Sequence, residues 1–296
     1  MIQVKVIVNK LNRRKGPIND FTDRSNIIGS VSNGYLFTSD NQVTNSLGTW
    51  YADRDGYYYW GGGVTVLGPV IGVTFNIKNL PVNLPVPCKI GIDISHHNVL
   101  PDWRGIKNSG VSFSYIKLSE GVGTPDVKAG EHASIAKQNG FKIGYYHFCR
   151  PDTRNGGTVT SDATAEADEA LSLISAITKP DLPLVLDLED NQPWDTPLHP
   201  ADYLLWINTF INRIKSNSGF DIMLYSRKSY LNEKLPQGHG LGKYKLWIAN
   251  YSVKDCNRVT CPDGWNDWAI WQYCEDGVIG ANAKLDINIL KDQTFF

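Results

Sequence analysis

Residues 182–190 read LPLVLDLED, and the alternation within this run decides the fold. Successive side chains of an extended chain point to opposite faces. Val185, Asp187 and Glu189 therefore share one face, and Leu184, Leu186 and Leu188 share the other. The leucines call for a covering helix layer, which turns the two carboxyls toward a barrel interior or its mouth. Same-face neighbours on a strand lie ~6.6 Å apart. Two acids that close to an apolar wall cannot both ionise freely. One pKa rises, giving a proton donor beside an anion.

The flanking sequence repeats the strand–helix unit. KIGIDISHH (89–97) reads as a first strand, followed by a short helix over 102–110. VSFSYIKLSEG (111–121) is a second strand, and a helix over 127–140 closes at Gly140. FKIGYYHFC (141–149) is a third strand. A helix over 160–178 carries Ala167, Leu171, Ile174 and Ile177 on one face. After LPLVLDLED, a helix over 200–218 places Tyr203, Ile207, Phe210, Ile211 and Ile214 together. DIMLYS (221–226) is a fifth strand. Helical signal then weakens, and KLWIANY, WAIWQY and KLDINIL follow with loops between them. Such repetition implies parallel strands covered by helices, an α/β barrel at the short end of the TIM scale.

Two further acids sit like the first pair. IGIDIS (90–95) sets Asp93 against Ile92 and Ile94, and KLDINI (284–289) sets Asp286 against Leu285 and Ile287. Four inward acids at strand ends lie where such barrels place active sites. Polar and aromatic candidates stand nearby: Lys117, Tyr145, His147, Tyr225, Trp247 and Gln272. A paired acid and anion in an aromatic cleft suits glycoside hydrolysis. A carboxylate site for Mg or Mn is the chemical rival. His96 and His97 read as loop packing, and no metal ligand set is assigned. No phosphate loop, dinucleotide fingerprint or G-x-S-x-G elbow is present.

The preceding sequence differs in kind. Residues 1–68 hold short strands and turn signals such as Asn33-Gly34 and Asp55-Gly56, which implies a small all-β module. Residues 69–88 are broken by Pro69, Pro81, Pro85 and Pro87 and read as a linker. Residues 89–296 form the barrel domain.

Composition sets the outer limits. The chain has 296 residues, 42% of them hydrophobic, which excludes general disorder. Net charge is −1, so the footprint of a nucleic-acid binder is missing. The uncharged run from Gly56 to Ile77 is interrupted by glycines and Pro69, so no membrane span is expected. The N-terminus lacks the pattern of a secretory signal. Five cysteines are too few for a disulfide framework and read as free thiols, although Cys256 and Cys261 would close a small loop in an oxidising space. Nine Trp, 14 Tyr and 10 Phe fit a packed core, with some left for stacking on sugars.

At these residues the barrel resembles glycoside hydrolase family 25, the Chalaropsis-type lysozymes. The resemblance runs in order through GIDIS, Asp102-Trp103, YIKLSEG, GYYHF, VLDLE, LYS, LWIANY, WAIWQY and LDINIL. It implies a flattened TIM-like (β/α)5(β)3 barrel and cleavage of the β-1,4 bond from N-acetylmuramic acid to N-acetylglucosamine in bacterial peptidoglycan, without a cofactor. Carried over by motif, Glu189 is the general acid, Asp187 its partner, and Asp93 and Asp286 complete the acidic floor. Asp187 either attacks the anomeric carbon or orients the substrate's 2-acetamido group for attack; the short Asp-x-Glu spacing favours the second. Residues 1–68 resemble a bacterial Src-homology-3-like domain through LNRRKGP, IIGSVSNGYLF and TWYADRDGYYYWGGGV, with Tyr57, Tyr58, Tyr59 and Trp60 as a candidate binding face. A phage lysin released onto the wall is the expected setting. A delivered antibacterial toxin and a non-catalytic wall-binding protein are the alternatives. A chitinase-like enzyme would want an earlier acid that LPLVLDLED lacks.

Overall fold

The computed structural model describes residues 2–39, 41–53, 55–69, 77, 79–85, 87–190 and 198–291. Two compact units divide the chain, residues 1–74 and residues 75–296. The linker read at 69–88 falls partly outside the described residues.

The first unit is all-β. Its strands are β1 (Ile2–Val6), β2 (Leu11–Arg14), β3 (Ile27–Val31), β4 (Leu36–Ser39), β5 (Asn41–Asn45), β6 (Gly48–Ala52), β7 (Tyr58–Trp60) and β8 (Val64–Pro69). They form a three-stranded sheet β4-β1-β8 and a five-stranded sheet β3-β2-β7-β6-β5. Val4, Val6, Leu11, Phe37, Tyr59 and Val64 make the core. Tyr59 is fully buried and donates its hydroxyl to Asp53 at 2.8 Å, so it leaves the candidate binding face. Asp53 also accepts the backbone N–H groups of Asp55 and Tyr57, which ties the turn before β7.

The second unit is a closed eight-stranded barrel. Its strands are β9 (Lys89–Ile94), β10 (Val111–Glu120), β11 (Lys142–Phe148), β12 (Leu184–Asp187), β13 (Ile222–Arg227), β14 (Lys245–Ala249), β15 (Ile270–Ile279) and β16 (Asn282–Leu290). Five helices follow the first five strands in turn: α1 (Trp103–Asn108), α2 (Ala129–Gln138), α3 (Val159–Ala176), α4 (Pro200–Asn217) and α5 (Lys228–Lys234). Neighbours from β9 through β15 pair parallel. β16 closes the ring antiparallel to both β15 and β9.

Local chemistry sets the helix ends. Asp102 caps α1 by accepting the Gly105 N–H at 2.7 Å, and any Cβ at Gly105 would strike that carboxyl. Thr158 and Ser161 form a capping box on α3. The buried face of α4 carries Tyr203, Trp206, Ile207, Phe210, Ile211 and Ile214.

Two apolar layers result. Leu184, Leu186 and Leu188 pack outward among helical residues, while Val185 joins Phe113, Tyr115, Met223, Trp247 and Ile270 inside the barrel. Glycines make room for the inner aromatics. A Cβ at Gly91 would lie 2.2 Å from the Phe113 ring, and one at Gly144 would lie 2.3 Å from Tyr115. β12 stops at Asp187, so Glu189 stands just past the strand.

Candidate active site

The four acids meet at the barrel end where the parallel strands finish, although Asp286 lies mid-way along the antiparallel β16 and not at a strand end. Asp93 on β9 and Asp286 on β16 are direct cross-strand partners. Asp187 ends β12 and is buried, with Glu189 half-buried beside it. Asp187 Oδ1 is buried without a hydrogen-bond partner.

Asp93 is held in detail. Its Oδ2 accepts Gln272 Nε2 at 2.9 Å and Asn288 Nδ2 at 2.7 Å. Gln272 Oε1 in turn accepts the hydroxyls of Tyr225 at 2.7 Å and Tyr251 at 2.6 Å. Asn288 Oδ1 accepts the indole N–H of Trp247 at 2.8 Å.

Burial dominates the electrostatics. It pushes Asp93 up to about 6, although the bonds from Asn288 and Gln272 oppose the rise. Burial and then the Asp93 charge push Asp286 up to about 9, and Asp286 hydrogen-bonds Asp93. Burial followed by the Glu189 charge raises Asp187. Burial followed by the Asp93 charge raises Glu189, against Arg227 and Lys117. The Asp93–Asp286 pair therefore holds about one proton at neutral pH.

Two of the substrate-binding candidates face the wrong way. Tyr145 lies on the outer face of β11 and donates its hydroxyl to the Thr178 carbonyl at 2.6 Å. His147 is fully buried behind the barrel wall, bonded to Ser119 Oγ at 2.9 Å and to Glu166 Oε2 at 2.8 Å. The β11 positions that face inward are Gly144, Tyr146 and Phe148. Trp247 and Gln272 are only 1% and 2% exposed, so they orient the floor and present no surface for a sugar. Tyr225 is also buried, through its bond to Gln272. Lys117 lies at the mouth, donating to Glu120 Oε2 at 2.6 Å with its ammonium 4.9 Å from the Phe148 ring centre.

Several participants went unread in the sequence: Asn288, Tyr251, Tyr146, Glu120 and Arg150. Arg150 Nε donates to Glu120 Oε1 at 3.0 Å, so Glu120 joins two cations. Asn288 had a signal, because it shares the face of Asp286 in LDINIL. Among the described residues, no group of three or more His, Cys, Asp or Glu is arranged to hold a metal. His96 Nδ1 lies 2.9 Å from Asp126 and packs on His97. All five cysteines are free.

The sequence profile of glycosyl hydrolases family 25 matches residues 92–281. The chain belongs to glycosyl hydrolase family 25. The matched span of this family 25 chain includes Asp93, Asp187 and Glu189 and ends before Asp286. It is 32% identical over 195 residues to Lysozyme M1 of Streptomyces globisporus, covering 64% of this chain and 63% of that one. It is 27% identical over 203 residues to the N,O-diacetylmuramidase of Arthroderma benhamiae, covering 66% and 80%. The family 25 chain thus spans less than two thirds of its Streptomyces globisporus relative. A bacterial lysozyme structure from Streptomyces coelicolor superposes with a TM-score of 0.60 at 29% identity, covering 70% of this chain and 93% of that one.

Proposed function

We propose that this family 25 chain is a muramidase, a glycoside hydrolase that cuts the β-1,4 bond between N-acetylmuramic acid and N-acetylglucosamine in bacterial peptidoglycan. The observation that carries this reading is the Asp187–Glu189 pair, with Asp187 buried at a strand end, Glu189 half-buried just past it, and burial raising both acids. Names of relatives support the substrate class.

In the reaction, Glu189 gives its proton to the glycosidic oxygen as the C1–O bond breaks. The 2-acetamido oxygen of the same sugar attacks C1 and forms a cyclic oxazolinium. Water then opens the ring with net retention, and Glu189 takes a proton from that water. Deeper burial favours the proton on Asp187 over Glu189. An acetamido N–H donated to the unpartnered Asp187 Oδ1 would move that proton to Glu189. The anionic Asp187 then faces the positive charge that develops at the sugar.

The barrel is read as the family's (β/α)5(β)3 form, in agreement with five helices after the first five strands. The first unit is read as a Src-homology-3-like wall-binding module. Phe21 is half-exposed and meets Trp60 edge-on at 4.9 Å, which offers an aromatic surface. The protein is read as acting on the wall after release, in the manner of a phage lysin.

The test is digestion of purified peptidoglycan followed by borohydride reduction and mass spectrometry. Reduced muramitol at the new ends is the expected product; reduced glucosaminitol would overturn the reading. Glu189→Gln should lower kcat by roughly 10²–10⁴-fold while wall binding persists.

A further inference from the structure

We infer that Gln272 and Asn288 are positioning residues that hold the negative charge on Asp93, beside Glu189, and leave the proton on Asp286. This rests on the muramidase reading for its kinetic consequence, and on hydrogen-bond geometry and burial for the placement of charge.

The orientation of Asn288 is forced, and that of Gln272 follows from the bonds it makes. An indole N–H can only donate, so Trp247 fixes Asn288 Oδ1 as the acceptor and turns Nδ2 toward Asp93. Two tyrosine hydroxyls converge on Gln272 Oε1, which turns Nε2 toward the same Asp93 oxygen. Asp93 Oδ2 therefore receives two N–H donors in a buried place, and N–H donors favour the ionised form. Asp286 lacks an equivalent pair of donors among its described bonds, and its carboxyl meets Asp93 across the β9–β16 register. One proton between the two carboxyls then belongs on Asp286, which burial and the neighbouring Asp93 charge raise further than Asp93.

Other charges surround this pair. Asp187 and Glu189 face it from the end of β12 and Glu275 from β15, while Lys117 on β10 acts on Asp187 and Glu189. Tyr146 on β11, Tyr225 on β13 and Tyr251 beyond β14 complete the ring as neutral phenols raised by burial. Arg227 acts on Glu189 from the end of β13. Among the described residues the two amides donate N–H groups to Asp93 Oδ2, and they favour its charge over that of Asp286.

The consequence is remote control of the general acid. An anionic Asp93 makes it harder for Glu189 to lose its proton, which extends the protonated form to higher pH. Removing a donor moves the proton toward Asp93 and relieves that repulsion.

The test uses the full chain carrying Gln272→Met, with carboxyl-13C aspartate and the Asp93→Asn spectrum for assignment. Wild type should show Asp93 ionised and Asp286 protonated at pH 7. In Gln272→Met the Asp93 resonance should move toward the protonated position. The basic limb of kcat/KM should shift to lower pH by roughly 0.5–1 unit. A merely structural role would lower the rate and leave the limb in place. Tyr251→Phe is the gentler second variant, since it removes one donor from Gln272 Oε1 and leaves the amide; about half the shift is expected. A folded Gln272→Met protein with unmoved Asp93 resonance and unmoved limb would overturn the inference. So would an unmoved Tyr251→Phe protein if the first variant fails to fold. Failure of wild type to release muramitol would refute the muramidase reading instead, and the carboxyl spectra would still decide this one.

Discussion

Asp286→Asn should stabilise the barrel, and by more as the pH rises. Asp286 is raised to about 9 in the native state by burial and by the Asp93 charge. In the unfolded chain an aspartate titrates near ~3.9. Above that value the native protein keeps a proton that the unfolded chain releases. Stability from this group is thus fully present below the unfolded pKa and is lost progressively as pH rises toward about 9. The slope is about −1.4 kcal/mol per pH unit for one extra native proton. Asparagine carries no such proton, yet its amide still offers Asp93 an N–H in place of the acid's O–H. The variant should therefore gain on wild type by about 2.7 kcal/mol between pH 6 and pH 8. For a domain of this size that is a Tm difference widening by roughly 5–10 °C. Scanning calorimetry of both proteins at pH 6, 7 and 8 measures it. Glu166 and Asp152, also raised by burial, titrate in both proteins and cancel in the comparison. Parallel curves of Tm against pH would refute the claim that Asp286 is the proton-bearing member of the pair.

Two other outcomes test different parts of the structure. His147→Leu strips Glu166 of the imidazole that bonds its Oε2 in a fully buried place. A loss of about 3–5 kcal/mol in urea unfolding is expected, with KM for peptidoglycan fragments unchanged; a raised KM in a stable variant would restore His147 to the substrate cleft. Removal of residues 1–74 should leave the barrel folded by circular dichroism and weaken pelleting with cell walls by tenfold or more. Equal pelleting of the short and full chains would end the targeting role of the first unit.

How far the sequence could be read depended on whether a strand carried its own marker of facing. LPLVLDLED did, because three leucines on one side required the helix layer, and Asp187 faced inward as expected. IGIDIS and KLDINI were legible for the same reason. GYYHF gave no such contrast, since Tyr145, Tyr146, His147 and Phe148 are all acceptable on either face. Its marker was Gly144, whose missing Cβ admits the Tyr115 ring and so lies inward with Tyr146 and Phe148. That signal depends on a neighbour from another strand and was invisible within the motif. Tyr251 and Asn288 were missed because their roles come from bonds to Gln272 and Asp93, residues far away in the chain. The outer network of Glu120, Arg150 and Glu166 was hidden likewise, since ion pairs leave no periodicity.

Half-protonation explains why four carboxyls converge where two would bear the reaction. Glycoside hydrolysis wants a proton donor and an anion within one cleft at the same pH. Four ionised acids would supply no donor, and four neutral acids would supply no charge to meet the developing cation. Burial raises all four, but the two amides on Asp93 hold its value near 6 while Asp286 rises to about 9. Between those limits the floor keeps one negative charge and one proton. That fixed anion, placed beside Glu189, is the second cause after burial that raises Glu189. The lower pair thereby tunes the upper one. A cleft with a near-neutral protein around it, at a net charge of −1, gains little from long-range attraction of its polymer. Gln272 and Asn288 are too buried to touch a polymer themselves, so their part is to hold one carboxylate in place.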